Sequence, residues 1–337
     1  MDWIRVLHVA LCVAIGLHVL SGCSSPTSPR DAGGSGTAGQ EGVSGDLIIF
    51  HAGSLSVPFK EVSAAFMAKY PAVKVKAEAA GSRDSARKIS DLQRPCDVFG
   101  SADYNVTETL LQPKFTDFNI CFATNQLSIA YLPKSKEADR IDGTNWHEIL
   151  LKEGVAFGRA DPNSDPCGYR TVMLFQLAEK HYQIPGLAKK LIEKDGKRFI
   201  RPKETDLLAL LEAGEIDYLF IYRSVVGQHH LKAVQLPDKI NLSAPEHAEF
   251  YATATVEVSG KKPGEKMTLK ALPILYSVTI PKDAPNRVAA EAYLKFLLGP
   301  EGQAIMKKNG QGSVAPSVTK DLDAVPGPLR SLCVEWK

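Results

Sequence analysis

The chain has 337 residues, 44% hydrophobic and 23% charged, and its 40 Lys+Arg against 38 Asp+Glu leave a formal charge of +2. So even a balance gives no basic footprint for nucleic acid and no acidic tail, which excludes a nucleic-acid partner. The length exceeds what one core usually reaches and implies about two domains, and 6 cysteines in 337 residues are too few for a disulfide scaffold.

Residues 1–22 carry one early cation, Arg5, then an apolar stretch from Val6 to Leu20 interrupted by His8 and His18. It is too short for a comfortable permanent bilayer span. Its end, Leu20-Ser21-Gly22-Cys23, resembles a bacterial lipobox. That resemblance implies a lipoprotein signal peptide over residues 1–22 and a lipid on the Cys23 thiol. Residues 23–45 are rich in Gly, Ser, Thr and Ala and bury too little apolar surface to offset ordering entropy, so they read as a flexible tether. The tether contains Gly34-Ser35-Gly36-Thr37-Ala38-Gly39, which fits G-x-G-x-x-G. No strand precedes it and no amphipathic helix follows, so it is no dinucleotide site. The expected folded body runs from about Asp46, anchored outside the cytoplasm on a periplasmic or extracellular face.

From Asp46 the pattern alternates short β-rich runs with amphipathic ones. Leu47–Phe50 reads as a buried strand, and Phe59, Val62, Phe66 and Tyr70 share a helical face that Pro71 terminates. Then come a strand at 73–77, a helix at 85–92, a strand at 97–100 and a helix at 104–111. This βαβαβ order predicts a parallel sheet covered on both faces. A long β-prone run, 119–132, reads as a strand crossing from one lobe into another. The pattern restarts with a strand at 155–158, helices at about 166–182 and 205–212, and a strand at 218–222. Residues 250–280 all read as strand, and helices at 288–296 and 301–308 follow. A chain that builds half a sheet, crosses, builds a second domain and crosses back predicts two α/β lobes. Residues 46–126 with 270–337 form lobe 1 and residues 127–269 form lobe 2. Ligands of open α/β sheets sit at the carboxyl ends of strands, so a cleft between the lobes is the expected site, with the architecture of a closing clamp.

In a non-cytosolic compartment Cys96, Cys121, Cys167 and Cys333 are able to pair, with connectivity open. No C-x-x-C occurs, and His229, His230 and His247 lack metal-ligand spacing, so a structural zinc is not expected and these histidines read as surface groups.

Four segments join an extended piece to a helix start with small or acidic oxygen donors: 51–55, 80–85, 161–170 and 201–206. Helix N-termini offer unpaired N–H groups and a positive dipole end, so several aimed at one cleft make an anion site. Each residue also has a plain structural role. Ser54, Ser82 and Asp165 suit N-cap positions, and Glu204 suits a first helical turn. Arg83 and Arg170 lie near two of these loops and read as surface charges or salt-bridge partners.

The runs Phe50-His51-Ala52-Gly53-Ser54-Leu55, Glu78-Ala79-Ala80-Gly81-Ser82, Asp97-Val98-Phe99-Gly100-Ser101-Ala102-Asp103-Tyr104, Asp165-Pro166-Cys167-Gly168-Tyr169-Arg170 and Asp217-Tyr218-Leu219-Phe220-Ile221-Tyr222-Arg223-Ser224-Val225 resemble the tungstate/molybdate-binding proteins of ABC importers. The match runs from about residue 46 to 315 in the family's order. It implies a two-lobe periplasmic-binding-protein type II α/β fold, each lobe a mixed sheet flanked by helices, with the oxyanion between them. It further implies that Ser54 and Ser82 donate hydrogen bonds to the oxyanion, that Tyr222 closes the site, and that Asp165 and Glu204 bond to the tungsten or molybdenum. Ser85 stands open as an alternative to Ser82, and Asp206 lies two residues from Glu204. The implied protein is not an enzyme. It would be a monomeric binding lipoprotein, with tungstate or molybdate as ligand and an ABC permease with its ATPase as partners.

Carboxylates beside a dianion require a reason: at 4 Å and an effective dielectric of 20, one carboxylate repels a dianion by roughly 8 kcal/mol. They are tolerable only as ligands of the metal. Tungsten and molybdenum can expand from four to six oxygens and sulfur in sulfate cannot, so the same pair would admit one oxyanion and repel the other. Two other readings remain. The same fold could bind sulfate, phosphate or ferric iron, with arginines or clustered tyrosines lining the cleft. A hydrolase could use Ser54 with His51, although no G-x-S-x-G elbow occurs.

Overall fold

The computed structural model describes residues 42–195 and 197–336. The expected signal peptide, Cys23 and residues 23–41 of the expected tether lie outside them. Among the described residues the strands are β1 Gly45–Ala52, β2 Val73–Ala80, β3 Val98–Ser101, β4 Ile120–Thr124, β5 Leu127–Tyr131, β6 Phe157–Ala160, β7 Ile200–Arg201, β8 Tyr218–Tyr222, β9 Lys232–Val234, β10 Thr255–Ser259, β11 Lys266–Lys270, β12 Leu275–Thr279, β13 Gly312–Thr319 and β14 Cys333–Glu335. They form a seven-stranded sheet in the order β14-β13-β4-β12-β3-β1-β2, a five-stranded sheet in the order β7-β6-β8-β5-β9, and the hairpin β10-β11. This is the expected α/β architecture, with two mixed sheets.

The sheets are mixed for a reason visible in the chain order. β1 pairs in parallel with β2 and β3 through helical crossovers, whereas β12 enters antiparallel between β3 and β4 after the excursion into the smaller sheet. The smaller sheet repeats the arrangement, with β6 parallel to β8, and β5 antiparallel to both β8 and β9. Each sheet has its own aromatic packing. Phe59, Phe66 and Tyr293 meet edge to face beside the first, and Trp146, Phe157, Phe175 and Phe220 do so beside the second.

The β-prone run 119–132 is two strands in different sheets. β4 stops at Thr124 and β5 starts at Leu127. Between them the Asn125 side chain accepts from the backbone N–H groups of Gln126 at 3.0 Å and Ser224 at 3.4 Å, which ends the ladder and redirects the chain. Residues 250–280 are likewise not continuous strand, since a helical turn, Ala248–Tyr251, precedes the hairpin. Among the described residues no helix is long and apolar enough to cross a membrane. Cys96, Cys121, Cys167 and Cys333 are all free and buried.

Candidate binding site

The carboxyl end of β1 runs into a tight turn, Gly53–Leu55, in which Ser54 is fully buried. Ser54 does not cap a helix. Its Oγ lies 2.8 Å from the Tyr276 hydroxyl of β12. Ser82 likewise leaves the cap to Gly81, and its Oγ accepts from the Ala102 N–H at 3.0 Å. Both hydroxyls are therefore spared the capping role that would have explained them. Ser85, one turn on, is buried with its Oγ unpartnered, so it stays a neighbouring alternative.

Asp165 does cap the helix Pro166–Tyr182, accepting through Oδ1 from the Cys167 N–H at 2.7 Å. Its other oxygen faces the Glu204 backbone N–H at 3.4 Å. Glu204 is 1% exposed, and neither of its carboxylate oxygens reaches a hydrogen-bond partner of ordinary geometry. Burial, then the Glu204 charge, then a proton-sharing contact with Glu204 push the Asp165 carboxyl well above the usual range. Asp206 pairs with Lys203 at 3.0 Å on the half-exposed side of the same turn, so Glu204 alone of the two acids enters the interior. Gly53 makes this approach possible: a methyl there would lie 2.8 Å and 3.0 Å from the two Glu204 oxygens. The segments before β6's helix, after β7 and after β1 thus converge on one place.

Tyr222 ends β8, fully buried, and its hydroxyl accepts from Arg170 Nη1 at 2.8 Å. The same Nη1 donates to the Ala102 carbonyl at 2.7 Å, and Nη2 pairs with Asp103 at 3.2 Å. Ala102 therefore joins Ser82, through its N–H, to the Arg170–Tyr222 pair, through its carbonyl. Tyr222 and Tyr276 meet at 5.7 Å between ring centres, which brings Ser54 into the same group. Ser54 is thus linked to Tyr222 through Tyr276, and Ser82 through Ala102 and Arg170, while Asp165 meets Glu204 directly and Gly53, next to Ser54, lies against the Glu204 carboxylate.

The surface reading of Arg83 and Arg170 is overturned: they are 1% and 3% exposed. Arg170 is neutralised by Asp103. Arg83 donates through Nε to the Asn163 carbonyl at 3.1 Å and through Nη2 to the Ser259 carbonyl. Both guanidinium groups are spent on protein partners, so neither is a free anion clamp. The hydrolase reading also fails geometrically. His51 Nδ1 lies 2.8 Å from the Ala52 carbonyl, while Ser54 Oγ is committed to Tyr276. Burial raises both phenols, Tyr222 and Tyr276, and their oxygens are engaged by Arg170 and by Ser54 and Asn125 respectively. Among the described residues no group of three or more His, Cys, Asp or Glu is placed to hold a metal ion.

Sequence reasoning passed over Tyr276, Asn125 and Asp103. Tyr276 lies in a strand-like run and Asn125 at an unmarked break, and only tertiary pairing distinguishes them. Asp103 stood inside a quoted motif but with no role.

The family profile described as "Bacterial extracellular solute-binding protein" matches residues 47–311. The chain belongs to that family. It is a non-enzymatic solute-binding protein of the extracellular class, associated with ABC transport. A relative from Petrotoga mobilis, an uncharacterized solute-binding protein, is 49% identical over 290 residues, covering 86% of this chain and 90% of the relative. The molybdate/tungstate-binding protein WtpA of Pyrococcus abyssi is 42% identical over 329 residues, covering 89% and 92%. The periplasmic molybdate-binding protein of Azotobacter vinelandii shares the fold with a TM-score of 0.58 at 17% identity, covering 79% of this chain and 98% of that one.

Proposed function

We propose that this solute-binding protein captures molybdate or tungstate outside the cytoplasmic membrane and delivers it to the permease of an ABC importer. The observation that carries the reading is the Asp165–Glu204 pair, buried together and sharing a proton, with neither Glu204 oxygen in a hydrogen bond of ordinary geometry. Two buried carboxyl groups with so few hydrogen-bond partners are costly unless something else binds them. A metal centre that can add two oxygen ligands to its own four supplies that partner, while a hydrogen-bond-only anion would be repelled. Ser54, Ser82 and Tyr222 then donate to the oxyanion oxygens. Each already has a protein partner on its oxygen, through Tyr276, Ala102 and Arg170 respectively. The Pyrococcus abyssi relative, a molybdate/tungstate-binding protein, supports the choice of ligand.

On this reading residues 46–126 with 270–337 form one lobe and 127–269 the other. The monomer is tethered by a lipid on Cys23. The test is calorimetric titration with tungstate, molybdate and sulfate, on the wild type and on Asp165→Ala and Glu204→Ala, with Ser82→Ala and Ser85→Ala to decide between the serines. Tight binding of the first two ions, no heat from sulfate and loss in both carboxylate variants is the expected result. Heat from sulfate, or indifference to both carboxylate substitutions, would replace it with an ordinary hydrogen-bonded anion site. A phosphate-type reading keeps one specific support, because a hydrogen oxyanion could donate its proton to Glu204. Phosphate therefore belongs in the same titration.

A further inference from the structure

Tyr276 lies on β12 in the seven-stranded sheet, fully buried, and nothing about its sequence position marks it as functional. Its hydroxyl has two neighbours, Ser54 Oγ at 2.8 Å and Asn125 Nδ2 at 3.1 Å. The direction of each hydrogen bond follows from the backbone. Asn125 Oδ1 faces the N–H groups of Gln126 and Ser224, both obligatory donors, so that atom must be the amide oxygen. The opposite end is then the NH2. Its two protons go to Ser224 Oγ at 2.8 Å and to the Tyr276 hydroxyl. Tyr276 therefore accepts from Asn125, and its single proton has one acceptor within reach among the described residues, the Ser54 oxygen. Either direction leaves one buried hydroxyl proton without a protein acceptor; on the proposed reading of Ser54 as an oxyanion-binding group, only a free Ser54 proton is met by the ligand, whereas a free Tyr276 proton would stay stranded.

We propose that Asn125 and Tyr276 form a one-way hydrogen-bond relay that makes Ser54 an obligatory donor, so that its proton is presented to the oxyanion. Tyr276 is a positioning residue in this scheme, acting through Ser54. The inference rests on the reading of Ser54 as an oxyanion-binding group. Orienting the hydroxyl before the ligand arrives removes the choice between donating and accepting, and a site of fixed donors suits an anion whose outer atoms are all acceptors. The fixed end of the relay is the chain crossing itself, because the residue that interrupts β4 and β5 is the one whose amide is locked by backbone donors.

The experiment is a thermodynamic cycle by calorimetry with tungstate, molybdate, sulfate and phosphate, read on whichever ion binds most tightly. The variants are Ser54→Ala, Tyr276→Phe, Asn125→Ala and the double variant Ser54→Ala/Tyr276→Phe, each checked for folding by circular dichroism and melting. Ser54→Ala and Tyr276→Phe should each weaken binding about tenfold, the usual effect of one hydrogen bond to a charged group. The double variant should bind no more weakly than Ser54→Ala alone. A purely structural role for the phenol would instead give losses that multiply, which overturns the relay. Wild-type affinity in Tyr276→Phe beside a weakened Ser54→Ala overturns it as well, leaving the ligand assignment intact. An unchanged Ser54→Ala removes Ser54 from the site and the relay with it. If tungstate and molybdate are not the tightest ions but the cycle closes as expected, the relay stands and the ligand assignment falls. Should Tyr276→Phe fail to fold, Asn125→Ala replaces it in the cycle, with the same non-additivity expected.

Discussion

Asp165 and Glu204 stand 39 positions apart in the chain, yet the Asp165 carboxylate faces the Glu204 backbone N–H at 3.4 Å, both residues buried. The pair follows from two short turns. One caps the helix Pro166–Tyr182 and the other follows β7, which pairs with β6 at Arg159–Ala160, so the two turns leave neighbouring strand ends.

On the proposed reading, the charge of this pair sets which anion is admitted. Glu204→Gln keeps the shape and removes one negative charge. Tungstate affinity should fall by about 100-fold, equivalent to ~2.8 kcal/mol, because an uncharged amide is a far weaker metal ligand. Sulfate, which the proposed carboxylate pair would repel, should become measurable in the same variant as the repulsion is relieved. Isothermal titration of both ions on both proteins checks this. A sulfate affinity identical in wild type and variant would mean that the carboxylate does not face the anion.

Close approach of backbone to backbone constrains the site as tightly as its charges do. Gly81 precedes Ser82, and a methyl on it would overlap the carbonyl oxygens of Ser164 and Pro202. Beside it the Arg83 N–H donates to the Ser164 carbonyl at 3.0 Å, and the guanidinium holds the Asn163 and Ser259 carbonyls. Gly81→Ala must push these segments apart at a cost of about 1–3 kcal/mol, typical of overpacking. The loss should appear in oxyanion affinity, and small-angle scattering with saturating tungstate should give a larger radius of gyration than the wild type. An unaltered affinity and radius would place the contact outside the binding-competent state.

Most of the elements were legible because periodicity and punctuation carried them. Pro71 ended a helix whose apolar face was already spaced, and Asp165-Pro166 announced both a cap and a first helical residue. The motif residues of the site were also readable, since serines and acids at strand-to-helix turns are few and their chemistry is narrow. Partnership was not readable. The buried state of Arg83 depends on carbonyls of residues 163 and 259, and that of Arg170 on Asp103, and such long-range satisfaction leaves no local trace. Asn125 was hidden in a β-prone run because the side chain that breaks the ladder does so by bonding a helix start 99 residues away.

The cysteines give a separate test, since an oxidising location would allow pairing while the structure keeps all four apart. Burial pushes the Cys96 thiol up to about 12 and raises Cys167 well above its ordinary value. A thiolate is the reactive form, so native protein should leave Cys96, Cys121, Cys167 and Cys333 unmodified by an aromatic disulfide reagent, with all four reacting in concentrated guanidinium. Reductant should leave the melting temperature unchanged. Peptide mass mapping distinguishes these residues from the remaining cysteines, and a linked pair among the four would contradict the fold.

His51 links the site's first strand to acid stability. The ring is 4% exposed, packs 5.4 Å from Phe59, and its pKa is lowered to about 4, by burial first and by the charges of Lys203 and Lys88, against the Ala52 carbonyl that raises it. In the unfolded chain the ring titrates near its ordinary value of 6.5, so between these values the unfolded state binds a proton that the folded state refuses. Stability therefore falls as the pH drops from about 6.5 towards 4, by roughly 2–3 kcal/mol at pH 4.5 for this group alone. The raised Asp165 carboxyl works in the opposite direction, since its folded form holds a proton that the unfolded chain releases above the ordinary carboxylate value. His51→Gln removes only the first effect. Urea midpoints at pH 7 and pH 4.5 should show the wild type losing clearly more stability than the variant. Equal losses would mean that the imidazole accepts its proton without leaving the fold, and that the packing around Phe59 can accommodate a charge.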